Sequence, residues 1–456
     1  MDNNSQAMAL ACHASPDILP IMADIELSPQ FVHALELMEN SPDSLFITGR
    51  AGTGKSTLLS YFKSHTDKNI VILAPTGVAA VNIGGATIHS FFQFKPDVTL
   101  EKAWVLGAKA KKPELYRALD AIVIDEISMV RADLLDCVDA FMRRVCGNAH
   151  PFGGKRLILF GDLYQLPPVV PHEDSKIFAT RYSTPFFFSA DVISRLALTF
   201  LELDHIYRQT DTEFIAVLNA IRENTATPTH LALLNTRLNP DYAPPPEEYV
   251  VHLTGTNYDA QAYNTYQLNS LEGESHTFQA ISTGAFDRRT EPAPRELVLK
   301  LGAQVMLTCN DHQKRFINGT VGRVEDIGDV DGSPVISVRL HNRQLIDVGP
   351  NSWEMFKFNF HPRSGRITTE VAGTYTQLPL MLSWGITIHK AQGKTFDRLA
   401  IDLPASFAHG QTYVALSRAT SLESIILKRP LTLRHIIMDP VVTTWLTMLR
   451  NTSTMM

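Results

Sequence analysis

Gly49-Arg-Ala-Gly-Thr-Gly-Lys55-Ser56 has the spacing GxxxxGK[ST] of a loop that cradles nucleotide phosphates. Its glycines let successive backbone N–H groups turn inward, and a helix opening at Lys55 adds positive potential. Lys55 then faces the outer phosphates of ATP, and Ser56 offers a hydroxyl to Mg2+. Asp125-Glu126 closes the apolar run Ala121-Ile-Val-Ile124. At a strand end beside a phosphate loop, Asp125 suits a magnesium ligand and Glu126 suits polarising an attacking water. Without that loop the same pair would be an ordinary solvated strand end. Gln165, in Gly161-Asp162-Leu-Tyr-Gln165-Leu-Pro-Pro168, is uncharged and able to touch both a terminal phosphate and a neighbouring domain, as a sensor must. The plainer reading of that segment is a proline-stiffened turn.

These groups need strands to hold them. From Leu45 to Gly161 the chain repeats a short apolar run, a special loop and a helical stretch. The runs Leu45–Thr48, Ile70–Ala74, Ala121–Ile124 and Arg156–Phe160 lack polar alternation, as parallel strands buried on both faces do. Helices fit at Lys55–Phe62 and Ala132–Arg144. The pattern predicts an α/β fold with a doubly wound first domain. A second set is expected at Thr199–Leu203, Tyr249–Leu253, Leu399–Asp402 and Ile425–Leu427. Between them, from about Leu271 to Thr376, short strand-like pieces and the turns Asn318-Gly319 and Asp331-Gly332 predict a β-rich insertion. The expected division is a tail at 1–26, a first α/β domain at 27–198, a second at 199–270 plus 377–440, the insertion at 271–376, and a tail at 441–456.

Composition narrows the class. Of 456 residues 45% are apolar and 19% charged, an ordinary globular balance with no apolar run long enough to span a bilayer. The start of the chain has no secretory pattern, and Cys12, Cys137, Cys146 and Cys309 form no CxxC pair, which predicts reduced thiols in a cytoplasmic protein. A net charge of −6 argues against a protein that coats duplex DNA, though not against one holding a strand in a narrow groove.

Six blocks resemble the petite-integration-frequency (Pif) helicases, a branch of superfamily 1 related to RecD. Besides the phosphate loop they are Ala74-Pro-Thr-Gly-Val-Ala-Ala80 with Gly85-Ala-Thr-Ile-His-Ser-Phe91, Asp125-Glu-Ile-Ser-Met129, Pro151-Phe-Gly-Gly-Lys-Arg-Leu-Ile-Leu-Phe-Gly-Asp162, Trp384-Gly-Ile-Thr-Ile-His-Lys-Ala-Gln-Gly-Lys-Thr395 and Thr412-Tyr-Val-Ala-Leu-Ser-Arg-Ala-Thr420. Leu163, Gly385 and Ser424 depart from the usual family residues. The resemblance implies two RecA-like motor domains, with a small strand-separating insertion near 92–118 of the first and a small-barrel insertion in the second. It implies ATP-driven 5′→3′ movement on single-stranded DNA and unwinding of forked duplexes, G-quadruplexes and RNA–DNA hybrids in genome maintenance, by a monomeric, nucleoid-associated enzyme that engages no membrane.

It also implies site residues. Gln30, Gly49, Ala51, Gly52, Thr53, Gly54, Lys55, Ser56, Thr57, Gly393 and Lys394 belong to nucleotide-binding blocks. Arg208 and Arg418 match the arginines that reach across the cleft, where a fixed charged fork suits the transition state. Pro75, Thr76, Gly77, Ala79, Thr87, His89 and Phe91 in the first domain, and Thr387, His389 and Lys390 in the second, would grip DNA. His89 and His389 read equally as core imidazoles, and Phe91, Phe92 and Phe94 more often pack under a loop than stack on bases. For Gln30, adenine's donor–acceptor edge suits an amide. Ser28 as N-cap and Pro29 at the first helical position give it a second reading as helix-start chemistry.

Other classes fit less well. A GTPase would carry Asn-Lys-x-Asp, which is absent from the sequence, and a small-molecule kinase leaves the second α/β half unexplained. A translocase that does not unwind, and an RNA-directed motor, remain open at this level.

Overall fold

A computed structural model describes residues 28–170, 178, 180–209, 211–245, 247–286, 288–311, 313–403 and 408–453. The expected tail at 1–26 lies outside them. The first sheet is parallel, with strands in the order β3-β2-β4-β5-β1-β6. They are β1 (Ser44–Gly49), β2 (Ile70–Ala74), β3 (Ala86–Thr87), β4 (Ala121–Ile124), β5 (Arg156–Phe160) and β6 (Leu198–Leu203). Side chains alternate between two cores. Phe46, Val71, Leu73, Ile122 and Ile124 enter one, while Leu45, Ile47, Ile72, Val123 and Ile158 enter the other. Burial on both faces is why these strands carry no polar alternation.

β6 corrects one expectation. The run at Thr199–Leu203, expected in the second set, pairs in parallel with β1 from Ser44↔Leu198 to Gly49↔Leu203. Chain order after β5 gave no signal of which sheet it would join.

The second sheet runs β18-β7-β19-β20, with β7 (Val251–Thr254), β18 (Gly385–Thr387), β19 (Leu399–Ile401) and β20 (Ile425–Leu427), again parallel. Between β7 and β18 lies the β-rich part, whose first strands are β8 (His276–Gln279), β9 (Ile281–Gly284) and β10 (Glu296–Leu299). Its five-stranded antiparallel sheet holds β11 (Gln304–Leu307), β12 (Val321–Val330), β13 (Ser333–Leu340), β14 (Leu345–Val348) and β17 (Leu380–Leu382) around a separate core. Asp331 and Gly332 join β12 to β13 with φ of 54° and 80°, the left-handed pair a two-residue hairpin demands. A long hairpin of β15 (Asn351–His361) and β16 (Arg366–Gln377) projects from it.

The segment near 92–118 folds as two helices, Leu100–Ala108 and Pro113–Arg117, against the helix Ala132–Cys146. The expected tail at 441–456 is instead largely a helix, Pro440–Ser453, that packs on β6. Val442, Trp445, Leu446 and Leu449 recur at helical spacing and join the main core, which is what orders it. Among the described residues no helix is long and apolar enough to cross a membrane.

Candidate nucleotide and strand site

Strand order brings the chemistry together. β4, β5 and β1 are neighbours, so the loops at their carboxyl ends converge on one edge of the sheet, where α/β proteins bind ligands. Asp125-Glu126 leaves β4, Asp162 to Gln165 leaves β5, and the phosphate loop leaves β1. Gly52 and Gly54 hold φ of 86° and 84°. A Cβ on Gly52 would stand 2.5 Å from the Arg208 Cβ, so the loop is also closely backed. Tyr207 N–H donates to Gly52 O at 2.9 Å, and Ala51 N–H donates to the Tyr413 hydroxyl at 3.2 Å. Thr53 is buried, while Ser56 and Thr57 stand exposed on the first turn of the helix Lys55–His65.

Lys55 Nζ donates to Gly49 O at 2.6 Å and Arg50 O at 3.0 Å. The loop carbonyls hold the ammonium where phosphate oxygens would compete for it. Burial pushes the lysine pKa down, and Asp162 and Glu126 pull against that. Burial lifts Glu126 to about 7, with Asp125 adding like-charge repulsion. Glu126 also holds φ 51°, an unusual conformation for a side-chain-bearing residue and one found where function dictates backbone.

The second half faces this edge. Gln392 Nε2 lies 3.4 Å from Glu126 Oε2 and 3.2 Å from Gln165 Oε1. Arg208 donates to Gly393 O at 3.2 Å and Ser417 O at 3.4 Å. Arg418 is 1% exposed and donates to Val414 O, Lys394 O and the Ser417 hydroxyl. Its burial, and then the charge of Arg208, pull the guanidinium below its usual range. Both arginines therefore lie at the cleft with backbone carbonyls as partners. The Lys394 side chain turns instead to Asn318 of the β-rich part, and burial brings it down to about 8.

Gln30 satisfies its amide on β6, donating to Glu202 O at 2.8 Å and accepting from Asp204 N–H at 3.1 Å. Ser28 caps the helix by accepting from Phe31 N–H, with Pro29 at its start.

On the strand side, Thr76, Thr87 and Thr387 each cap a short helix by accepting from the N–H three residues on. The two halves repeat one device, a strand end, a threonine cap, a buried isoleucine and then a histidine, in Thr87-Ile88-His89 and Thr387-Ile388-His389. His389 and Lys390 are exposed; Pro75, Ala79 and His89 are half-buried. Gly77 is buried, and a Cβ there would meet Thr290 of the β-rich part at 2.2 Å. Phe91 is only 7% exposed, edge-on to Phe92, Tyr116 and Phe358. The ring is packed in the core and is not presented to a strand in this arrangement.

Sequence reasoning passed over Gln392, Tyr413 and Arg222. The first two stand inside recognised blocks, but only the sheet order shows which members face the cleft.

The PIF1-like helicase family profile matches residues 30–228. The ATP-dependent DNA helicase Pif1 of Bdellovibrio bacteriovorus is 33% identical over 431 residues, covering 91% of each chain. The chain spans 57–60% of the length of eukaryotic relatives that it matches. A Bacteroides Pif1 in complex with ADP-AlF4 superposes with a TM-score of 0.86 at 35% identity, covering 94% of this chain and 98% of that one. The Bacteroides protein bound to single-stranded DNA gives a TM-score of 0.64 at 34% identity, with 93% and 97% covered.

Proposed function

The chain belongs to the PIF1-like helicase family, and on that premise we infer an ATP-dependent DNA helicase that moves 5′→3′ on single-stranded DNA. Forked duplexes, and beyond them G-quadruplexes and RNA–DNA hybrids, are its proposed substrates, opened by a monomer at the bacterial nucleoid. The supporting observation is the convergence on a single sheet edge of one phosphate loop, one acidic pair, Arg208 just beyond β6 and Arg418 from the opposing half.

In this reading Lys55 exchanges its loop carbonyls for the β- and γ-phosphates. Glu126, poised near neutrality, accepts the proton of the attacking water. Arg208 and Arg418 balance the charge that grows on the transferred phosphoryl group. A hydroxyl at Ser56 and a carboxylate at Asp125 are hard oxygen donors that suit Mg2+, which would polarise the phosphates when bound. Gly49, Ala51, Gly52, Thr53, Gly54 and Thr57 supply the cradle, and Gln30 exchanges its β6 backbone partners for the adenine edge. The proposed motor domains are the two parallel sheets with their helices, and the proposed strand grips are Pro75, Thr76, Gly77, Ala79, Thr87 and His89 against Thr387, His389 and Lys390.

The test compares ATP hydrolysis with and without single-stranded DNA, then unwinding of 5′- and 3′-tailed duplexes. DNA-stimulated hydrolysis with opening of 5′-tailed duplexes only is expected. Stimulated hydrolysis with no strand displacement would make the protein a translocase.

A further inference from the structure

The helix Thr212–Arg222 packs against the helix Gln411–Leu416 of the second half, and ends on a side chain with no exposure. Arg222 Nη2 donates to Asp162 Oδ1 at 3.2 Å, and Nη1 lies 3.5 Å from Glu202 Oε1. Its guanidinium carbon sits 4.2 Å from the Tyr164 ring centroid. Glu202 is in turn held by Arg450 at 2.8 Å and 3.0 Å. Asp162 is equally sealed from solvent, and its other oxygen accepts from Gln165 Nε2 at 3.2 Å. Gln165 passes the contact to Gln392, which also reaches Glu126. A line of polar contacts thus runs from Arg222 to the residue read as the water-polarising base.

A sealed ion pair is a poor way to gain stability, since desolvation consumes most of the attraction. Here the account is poorer still, because buried Arg222 Nε finds no hydrogen-bond partner among the described residues. What the pair does secure is place. Burial alone would raise Asp162, but Arg222 and then Lys55 outweigh it and keep the carboxyl below its usual range. As a carboxylate it accepts from Gln165 and fixes which way that amide points.

We propose that Arg222 is a positioning residue for ATP hydrolysis: by fixing Asp162 it aims Gln165 at the terminal phosphate. Because the helix that carries Arg222 packs on a second-half helix, this aim depends on how the two halves meet. The inference rests on the reading of the cleft as an ATP-hydrolysing site.

The test uses the full chain with ATP, Mg2+ and single-stranded DNA, and three variants. Arg222→Met should lower kcat by about 10–100-fold, the scale of a misplaced catalytic group, with the KM for ATP little changed. Arg222→Met combined with Asp162→Asn removes both charges, so it should melt near the wild-type temperature while kcat stays low. Wild-type kcat in the single variant, or recovery of kcat in the double one, would show that the pair serves folding only and overturn the proposal. Should neither Met variant fold, Arg222→Lys decides. It keeps the charge but not the planar fork. A reduced kcat at unchanged KM and wild-type melting temperature supports the inference, and an undiminished kcat overturns it. If the wild-type protein itself hydrolyses no ATP, the reading of the cleft fails before the positioning role is reached.

Discussion

Lys55 donates to two carbonyls of its own loop. Those contacts are local, far in chemistry from the strand-side threonines, so Lys55→Ala should abolish ATP turnover while leaving single-stranded DNA binding largely intact. Turnover near the wild-type rate in that variant, measured with DNA present, would remove the lysine from the phosphate site. Arg418 differs from Lys55 in being sealed and held by three neighbours. Arg418→Ala should cut kcat by about 10³-fold, the scale of a lost arginine finger, with a far smaller loss of nucleotide affinity. Equal losses in both quantities would mark it as structural. At this scale the sequence was legible where spacing carries mechanism, as in the phosphate loop. It was not where side-chain direction decides. Phe91 and Lys394 stand in matched blocks, yet one ring faces the core and one ammonium faces Asn318.

Among elements, β2, β4 and β5 were readable to the residue because their apolar runs are bounded by polar or glycine-containing loops. Pairing partners were less so, since the hydrophobic pattern of β6 is compatible with either sheet. β7 carries a further consequence. His252 sits beneath the helix Asn257–Ser270, 3.1 Å from the Tyr263 hydroxyl, and burial, helped by Lys428, lowers it from 6.5 to about 4. A depressed histidine binds its proton more weakly folded than unfolded. The stability it contributes is therefore complete above pH 6.5 and lost as pH falls towards 4. The loss over that window amounts to at most about 3 kcal/mol. His252→Gln should flatten the fall in urea-unfolding free energy between pH 6.5 and 4, whatever its effect at pH 8. An unchanged slope in that window would mean the imidazole is protonated in the folded chain.

The whole molecule is tied together by the β15–β16 hairpin, which leaves the β-rich part and clasps the first sheet's half. Arg366 pairs with Asp67, and Asn69 donates to Gly365 O while accepting from Ile367 N–H. Lys112 reaches Asn359, and Phe358, Phe360 and Ile367 pack on the main core. The same β-rich part covers Gly77, one of the proposed strand contacts. The nucleotide-bound Bacteroides relative superposes at 0.86 and its DNA-bound form at 0.64, at matching identity and coverage. Identity and coverage are nearly equal for the two forms, so the difference lies in how the parts are arranged. This chain is arranged more like the nucleotide-bound relative than the DNA-bound one, and we predict that the clasp belongs to this arrangement alone. A contact made in only one of two states sets their ratio, and loosening it moves the population towards the other. Asn69→Ala with Arg366→Ala removes the exposed polar part of the clasp and leaves its apolar packing in place. The exposed pair and two hydrogen bonds together contribute about 1–2 kcal/mol, so single-stranded DNA should bind about five- to thirtyfold more tightly in the double variant. Fluorescence anisotropy with a labelled oligonucleotide measures it at fixed salt, since strand affinity shifts with ionic strength. Affinity that is unchanged or weaker would mean that the hairpin keeps these contacts when DNA is bound, and that the rearrangement pivots elsewhere.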